Sequence, residues 1–544
     1  MTSAPPPPGR GRRLRTTAAA LAAVVCLVAA ACSSPPTESG GGGGGSRDDL
    51  VIGRAMDITT LDISRNLCDT CQIYNAAAYE TLLRAPNATD ALEPLLAESW
   101  EANADNTQFT FKLNPDATFS DGSPVEAKDV KWSWDRIKNL DGSPAYFMAG
   151  IASVEAPDPQ TVVVTSEAPN SAFFNITSAS YMGVINSDVA AENGATADAD
   201  AATSDQAENW FLSNSAGSGQ YVLDSYAEGS QLVLDRNDKY WGDKPSFSKV
   251  TIKEVTDPSA QLQQLQHGDI DVAMNLSFDA LDQVENDDSL TVSTEPTPNF
   301  IYVGLSPGKA GGEALADVRV REAIRKGIDY DAVIDATVAG NGDKQASPIP
   351  NGFVGTEGLA LPEFDPEGAK QLLKEAGYAD GLTLDATFPT FTTYGVSSST
   401  MFQSIQQTLG QVGIDLKLQP IEFSQWVDQI DTPGFAVTAV YFAPDHPDPV
   451  QYAQYFSLAE GSVWSGRAGE KVRPEETELL AKALSSSGTD REAAYAELAQ
   501  EMINDQIIIP VVNPKTLLAS SSDVVGNNLD ITRNLDLSRM SFKG

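Results

Sequence analysis

Residues 217 to 245, GSGQYVLDSYAEGSQLVLDRNDKYWGDKP, alternate apolar and polar positions on either side of a Glu228-Gly229 turn. Tyr221 and Leu223 share a face of the first run, and Leu232 and Leu234 share a face of the second. That period of two predicts a hairpin of half-buried strands with a glycine turn and a polar, aromatic exit. The same alternation marks Gln108 to Leu113, with Phe109, Phe111 and Leu113 on one side, and a further strand at Thr161 to Thr165. Between them, Val130, Trp134 and Ile137 recur at helical spacing within Ala127 to Lys138. Asp365 and Pro366 open a helix striped by Leu372, Leu373 and Ala376 and stopped by Gly377. A strand at Leu382 to Ala386 follows. A second helix carries Met401, Phe402, Ile405, Leu409 and Val412, and Gly413 and a strand with Ile414, Leu416 and Leu418 come next. Strand, helix, strand predicts a right-handed parallel crossover, so the fold class is α/β. No short-period repeat interrupts it.

The amino terminus departs from this pattern. Arg10, Arg12, Arg13 and Arg15 precede an apolar run from Ala18 to Ala31 that ends at Cys32. A basic head, a short apolar stretch and small residues before a cleavage point predict a secretory signal over residues 1–31. A cysteine after small residues resembles a bacterial lipobox, which implies lipidation of Cys32 and anchoring at the outer face of the cell membrane. Ala29 stands where leucine is usual, so plain cleavage is the alternative. The stretch SSPPTESGGGGGGS can bury nothing and predicts a flexible tether over residues 32–49.

Charge and cysteine content narrow the function classes. The chain carries a formal charge of −39, and −43 once the four leader arginines are left out. Such acidity disfavours nucleic acid and anionic lipid as partners. Beyond Cys26 and Cys32, only Cys68 and Cys71 remain. In an exported protein a Cys-x-x-Cys pair predicts a small local disulfide. Two histidines, His267 and His446, leave little for a metal site, and neither a G-x-S-x-G elbow nor a G-x-x-x-x-G-K-[ST] loop occurs. The expectation is a protein without a cofactor and without catalysis.

The hairpin resembles something more specific. Gly217-Ser218-Gly219-Gln220-Tyr221 through Leu234-Asp235-Arg236-Asn237-Asp238-Lys239-Tyr240-Trp241-Gly242 is similar to the motif of the peptide/nickel family of extracellular solute-binding proteins, the receptors of ABC importers. Tyr79 to Leu83, Leu92 to Trp100, Phe119 to Pro124 with Asp129-Val130 and Trp132-Ser133, and Asp317 to Ala323 resemble further family blocks. The resemblance implies a two-lobed, three-domain periplasmic-binding-protein-like fold (type II, cluster C-like) that closes on ligand about a hinge. It implies a first domain of residues 50–85, 215–295 and 512–544, an inserted domain over 86–214, and a second lobe over 296–511. The partners it implies are a peptide or other small-molecule ligand and the permease and ATPase subunits of an importer, with the receptor itself a monomer.

By the same resemblance, ligand binding centres on Tyr441-Phe442-Ala443-Pro444-Asp445-His446-Pro447-Asp448-Pro449. Asp445 matches the aspartate that pairs with a peptide α-ammonium in relatives, and Phe442 replaces a tryptophan. A loop over Leu67 to Gln72, ahead of a helix from Ile73 to Leu83, is expected to line the cleft and present Asp69 and Thr70. Trp464 is a candidate stacking platform and Arg467 a candidate for the ligand carboxylate. Phe391 to Gly395 holds no arginine where dipeptide-specific relatives place one, which favours longer peptides or uncharged ligands. An oligosaccharide held by Trp464, Tyr441 and Phe442, or a metal complex held by His446, are the alternatives.

Overall fold

Three β-sheets, each made from a different part of the chain, carry the architecture of this computed structural model, which describes residues 48–86, 91–530 and 532–544. The expected signal, the expected anchor at Cys32 and most of the expected tether fall outside the described residues. The first sheet has seven strands, in the order Leu290–Ser293, Leu518–Ser521, Val272–Ala273, Asp49–Arg54, Lys249–Glu254, Gln231–Arg236, Tyr221–Ala227. Its edge is the hairpin: Tyr221 pairs with Arg236 and Leu223 with Leu234, and Gly229 turns the corner at φ +65°.

The motif residues around this hairpin hold one another. A Cβ on Gly217 would sit 2.0 Å from the Ala78 carbonyl oxygen, and one on Gly219 would sit 2.3 Å from that of Ala77. Only glycine lets the strand approach the end of the Asp69–Ala78 helix this closely. Asn237 donates to the Gly219 carbonyl at 2.9 Å. The Tyr240 hydroxyl and the Trp241 indole both donate to the buried Glu80 carboxylate, at 2.6 and 2.8 Å. Two separate family blocks thus meet as one hydrogen-bonded unit.

A four-stranded antiparallel sheet follows, in the order Ala97–Ala102, Gln108–Leu113, Thr161–Ser166, Ile151–Asp158. Phe109 and Phe111 point from it into a core with Phe173 and Trp134. The Ala127–Leu140 helix covers that core, its Trp134 indole donating to the Met182 carbonyl at 3.1 Å. Arg136 of this helix makes a two-pronged pair with Asp62 at 2.7 and 2.6 Å and bonds Asp205 at 3.0 Å, all three side chains wholly buried. Burying charge is tolerable only with such full pairing. This triad locks the second sheet's helix to the segment that leads into the cleft.

The third sheet has six strands, in the order Gly342–Asp343, Ile508–Pro514, Phe300–Leu305, Val437–Phe442, Leu382–Pro389, Ile414–Ile421. The crossover expected from periodicity is present: Leu382–Pro389 and Ile414–Ile421 pair in parallel with the Ser398–Gln411 helix between them. The chain passes between the first and third sheets twice, at residues 294–299 and 515–517. These passages run side by side, since Thr516 donates to the Glu295 carbonyl at 2.8 Å and Thr297 to the Pro514 carbonyl at 2.8 Å. The strand through Pro514 stays in the third sheet, so a boundary at residue 512 falls inside it.

Candidate ligand-binding cleft

Asp445 lies three residues beyond the Val437–Phe442 strand, whose last two residues are Tyr441 and Phe442. The side chain of Gln451 fixes the segment, accepting from the Asp445 amide at 2.9 Å and donating to the His446 carbonyl at 2.5 Å. The Asp445 carboxylate faces the other lobe, where the Tyr146 hydroxyl donates to it at 2.5 Å. Burial pushes its pKa up to about 6, against the Tyr146 hydrogen bond and with help from the negative charge of Asp69. Asp448 faces elsewhere. It is wholly buried, both of its oxygens accept from one guanidinium nitrogen of Arg491 at 2.8 and 2.6 Å, and it takes a 2.7 Å hydrogen bond from Asn175 across the lobes.

Asp69 approaches the same space from the first lobe. The segment expected as a loop over Leu67 to Gln72 is instead helical from Asp69 onward, and the helix ends at Ala78 rather than Leu83. The reason is local. Cys68 caps the helix with its sulfur accepting from the Cys71 amide at 3.0 Å, and Asp57 accepts from the amides of Asp69 and Thr70 at 2.8 and 2.9 Å. Carboxylate contacts to the first amides are what a helix start favours. Thr70 therefore turns inward, wholly buried, with its hydroxyl donating to Asp57 at 2.5 Å, and presents nothing to a ligand. The sulfurs of Cys68 and Cys71 are adjacent, with a Cα–Cα separation of 5.0 Å. The Tyr181 hydroxyl accepts from the Cys68 amide at 3.1 Å and donates to its carbonyl at 3.0 Å.

The Asp69 carboxylate accepts from the Tyr394 hydroxyl of the opposite lobe at 3.3 Å. Burial and the neighbouring Asp57 raise its pKa to about 6, opposed by Arg54 and this hydrogen bond. Burial also pulls Asp57 upward, but Arg54 and the hydrogen bonds from Thr70 and Asp69 hold it below the usual carboxylate range. Tyr394 sits in the stretch that lacks an arginine, at φ +53°. Its ring stands edge-on to Tyr441, which also stacks near Phe391 and Phe423.

Two candidates lie away from the cleft. Trp464 is wholly buried against Tyr302, with its ring filling the space above Gly304, where a Cβ would be 2.2 Å away. It is core, because an apolar indole gains most when enclosed on all sides. Arg467 is already engaged, bonded to Asp431 at 2.7 Å and to the Tyr455 hydroxyl at 2.7 Å. Phe442 is half-buried among Phe300, Tyr452, Tyr455 and Phe456, and Ala443 is half-buried beside it. His446 is buried, and burial holds its pKa down to about 4, so it is neutral at physiological pH. Sequence reasoning missed Tyr146, Tyr181 and Asp57. Nothing in their local patterns distinguishes them from core tyrosines and a capping aspartate.

Comparison with known proteins places this geometry. The family model for bacterial extracellular solute-binding proteins, family 5 (middle region), matches residues 91–464. A probable D,D-dipeptide-binding periplasmic protein of Escherichia coli is 28% identical over 487 residues, covering 88% of this chain and 91% of that one. A dipeptide-binding protein of the same species is 25% identical over 79% of this chain and 82% of its own length. Among solved structures, a periplasmic binding protein from Helicobacter pylori in complex with the peptide STSA superposes with a TM-score of 0.76 at 21% identity, covering 92% of this chain and 99% of that one. That likeness establishes the two-lobed α/β fold of type II binding proteins. No helix among the described residues is long and apolar enough to cross a membrane. With a matching family model over most of its length, the chain belongs to the bacterial extracellular solute-binding proteins of family 5, extracytoplasmic transport receptors rather than enzymes.

Proposed function

We propose that this receptor captures peptides bearing a free α-ammonium, oligopeptides in preference to dipeptides, and delivers them to the permease of an ABC importer. The observation that carries the reading is Asp445: a carboxylate held by its backbone at the seam of two lobes, with a single tyrosine hydroxyl as side-chain partner. An ammonium in that enclosed place gains more from a charge pair than it would at a surface. The relatives named above as dipeptide-binding support the class of ligand. The absence of an arginine from Phe391 to Gly395 leaves the far end of the ligand without a carboxylate clamp there, which suits longer chains held through their backbone.

The same proposal includes a monomer anchored by lipid on Cys32, and a Cys68–Cys71 disulfide that stiffens the start of the Asp69–Ala78 helix. It divides the chain into a first domain around the seven-stranded sheet, an inserted domain around the four-stranded sheet and a second lobe around the six-stranded sheet. The paired passages at 294–299 and 515–517 serve as the hinge.

The test is mass spectrometry of small molecules released on denaturing protein purified without added ligand. A ladder of peptides, lost in Asp445→Ala, supports the reading. Sugars, opines or a metal complex in their place would remove the peptide assignment and leave the receptor role standing.

A further inference from the structure

We infer that the cleft selects ligands with a second positive charge beside the amino-terminal ammonium, namely peptides headed by lysine, ornithine or arginine, with Asp69 taking the side-chain cation while Asp445 takes the α-ammonium. This rests on the peptide reading above and adds a specificity to it.

Three observations carry it. First, the two carboxylates come from opposite lobes and face one tyrosine-lined space. Tyr146 reaches from the first lobe to Asp445, and Tyr394 reaches from the second to Asp69. The charges of both Asp445 and Asp69 bear on the hydroxyl of Tyr181, which is bonded to the Cys68 backbone next to Asp69.

Second, the charges do not balance within the protein. The groups bearing on these two carboxylates among the described residues are Asp57 and Arg54, besides the tyrosine hydroxyls. Three carboxylates against one guanidinium leave an excess of two negative charges when all are ionised. Arg467 and Arg491, two arginines of the second lobe, are committed to Asp431 and Asp448. A neutral or singly charged ligand would leave one half-buried carboxylate uncompensated, whereas a doubly cationic end neutralises the pair.

Third, a polar group beside Asp445 has no partner. Tyr452 is wholly buried, its hydroxyl makes no hydrogen bond among the described residues, and Asp445 is the charge acting on it. A ligand group that reaches Asp445 would offer this hydroxyl a partner. A ligand that bridges Asp69 and Asp445 also contacts both lobes at once, and so favours the closed state over the open one.

The experiment is calorimetric titration of the protein, stripped of co-purified ligand, with Lys-Ala-Ala, norleucine-Ala-Ala and Ala-Ala-Ala at pH 7.5. The expected result is that Lys-Ala-Ala binds at least about tenfold more tightly than the norleucine peptide, which matches its length without its charge. In Asp69→Asn, an isosteric change, that ratio should fall close to one. Equal binding of the lysine and norleucine peptides by the unaltered protein overturns this inference alone. A preference that survives in Asp69→Asn overturns the assignment to Asp69. Binding of none of the three overturns the peptide reading and this inference with it.

Discussion

The Tyr146 hydroxyl donates to the Asp445 carboxylate at 2.5 Å, joining the first lobe to the segment that follows the Val437–Phe442 strand in the second. The donor lies in the Ser143–Met148 turn, with its ring stacked on Phe147 and the Phe147 ring stacked in turn on Tyr181. A hydrogen bond to a charged acceptor is worth roughly 1.5–3 kcal/mol, enough to matter for closure and for the ionisation of Asp445. Tyr146→Phe should therefore weaken ligand binding about tenfold, mainly through faster release, with stopped-flow dissociation as the check. An unchanged release rate would show that the contact does not support the liganded state.

Binding of an amino-terminal cation should depend on pH with a defined sign. Asp69 and Asp445 have pKa values raised from the ordinary 3.8 to about 6. Asp69 is faced by Asp57, Arg54 and Tyr394, and Asp445 by Tyr146 and Asp69. The tyrosines stay protonated, because Tyr146, Tyr181 and Tyr394 are all raised further, with burial the chief cause at Tyr181 and Tyr394. Above about pH 6 both carboxylates are ionised and attract the cation. As pH falls below 6 the affinity should drop, by up to about tenfold per unit for each carboxylate involved. Calorimetry at pH 7.5, 6 and 5 checks this, and a flat profile would exclude both groups as anchors.

The same shifts act on the ligand-free protein in the opposite direction. Between pH 3.8 and about 6 the folded chain holds protons on these two groups that the unfolded chain has released. Their contribution to stability therefore falls as pH rises through that window. Asp69→Asn should stabilise the ligand-free protein at pH 7.5, on the order of 1–2 kcal/mol, with the gain shrinking towards pH 5. Thermal unfolding of both proteins at the two pH values measures the difference.

Removing the partner of a buried charge costs more than the pair itself contributes. Arg491→Ala would leave Asp448 wholly buried with no cation paired to it among the described residues and with the neutral donors Asn175 and the Val450 amide at its carboxylate. The expected loss is about 3–5 kcal/mol of unfolding free energy in urea. Replacing both members, Arg491→Met with Asp448→Leu, should cost clearly less.

Gly219→Ala tests the close approach behind the family motif. The added Cβ would meet the Ala77 carbonyl oxygen at 2.3 Å, so backbone must move. A loss of roughly 1–3 kcal/mol of unfolding free energy, read as a lowered thermal midpoint, is expected, since overpacking against backbone has no soft neighbour to yield. Gly229→Ala is the control. It lies at φ +65° with open space around it, so only backbone strain of about 1 kcal/mol applies.

The architecture could be read from the sequence because its signals are local. The hairpin at Tyr221–Ala227 and Gln231–Arg236, the Asp365-capped helix and the parallel crossover follow from periods of two and 3.6 with turn and cap residues between. The motifs likewise pointed to Asp445 and to the Cys68–Cys71 pair. What tertiary structure alone decided is where polar and aromatic groups end up. Trp464 reads the same in sequence whether it stacks on a ligand or fills the space above Gly304. Asp69 and Thr70 are adjacent, yet the helix begun by Cys68 and Asp57 turns one to the cleft and the other away. Tyr146 and Tyr394 lie 299 and 325 residues from the carboxylates they bond, a separation that no local pattern encodes. Local periodicity records which face of an element is buried; the cleft is made where two lobes meet, and only the folded chain brings its carboxylates together.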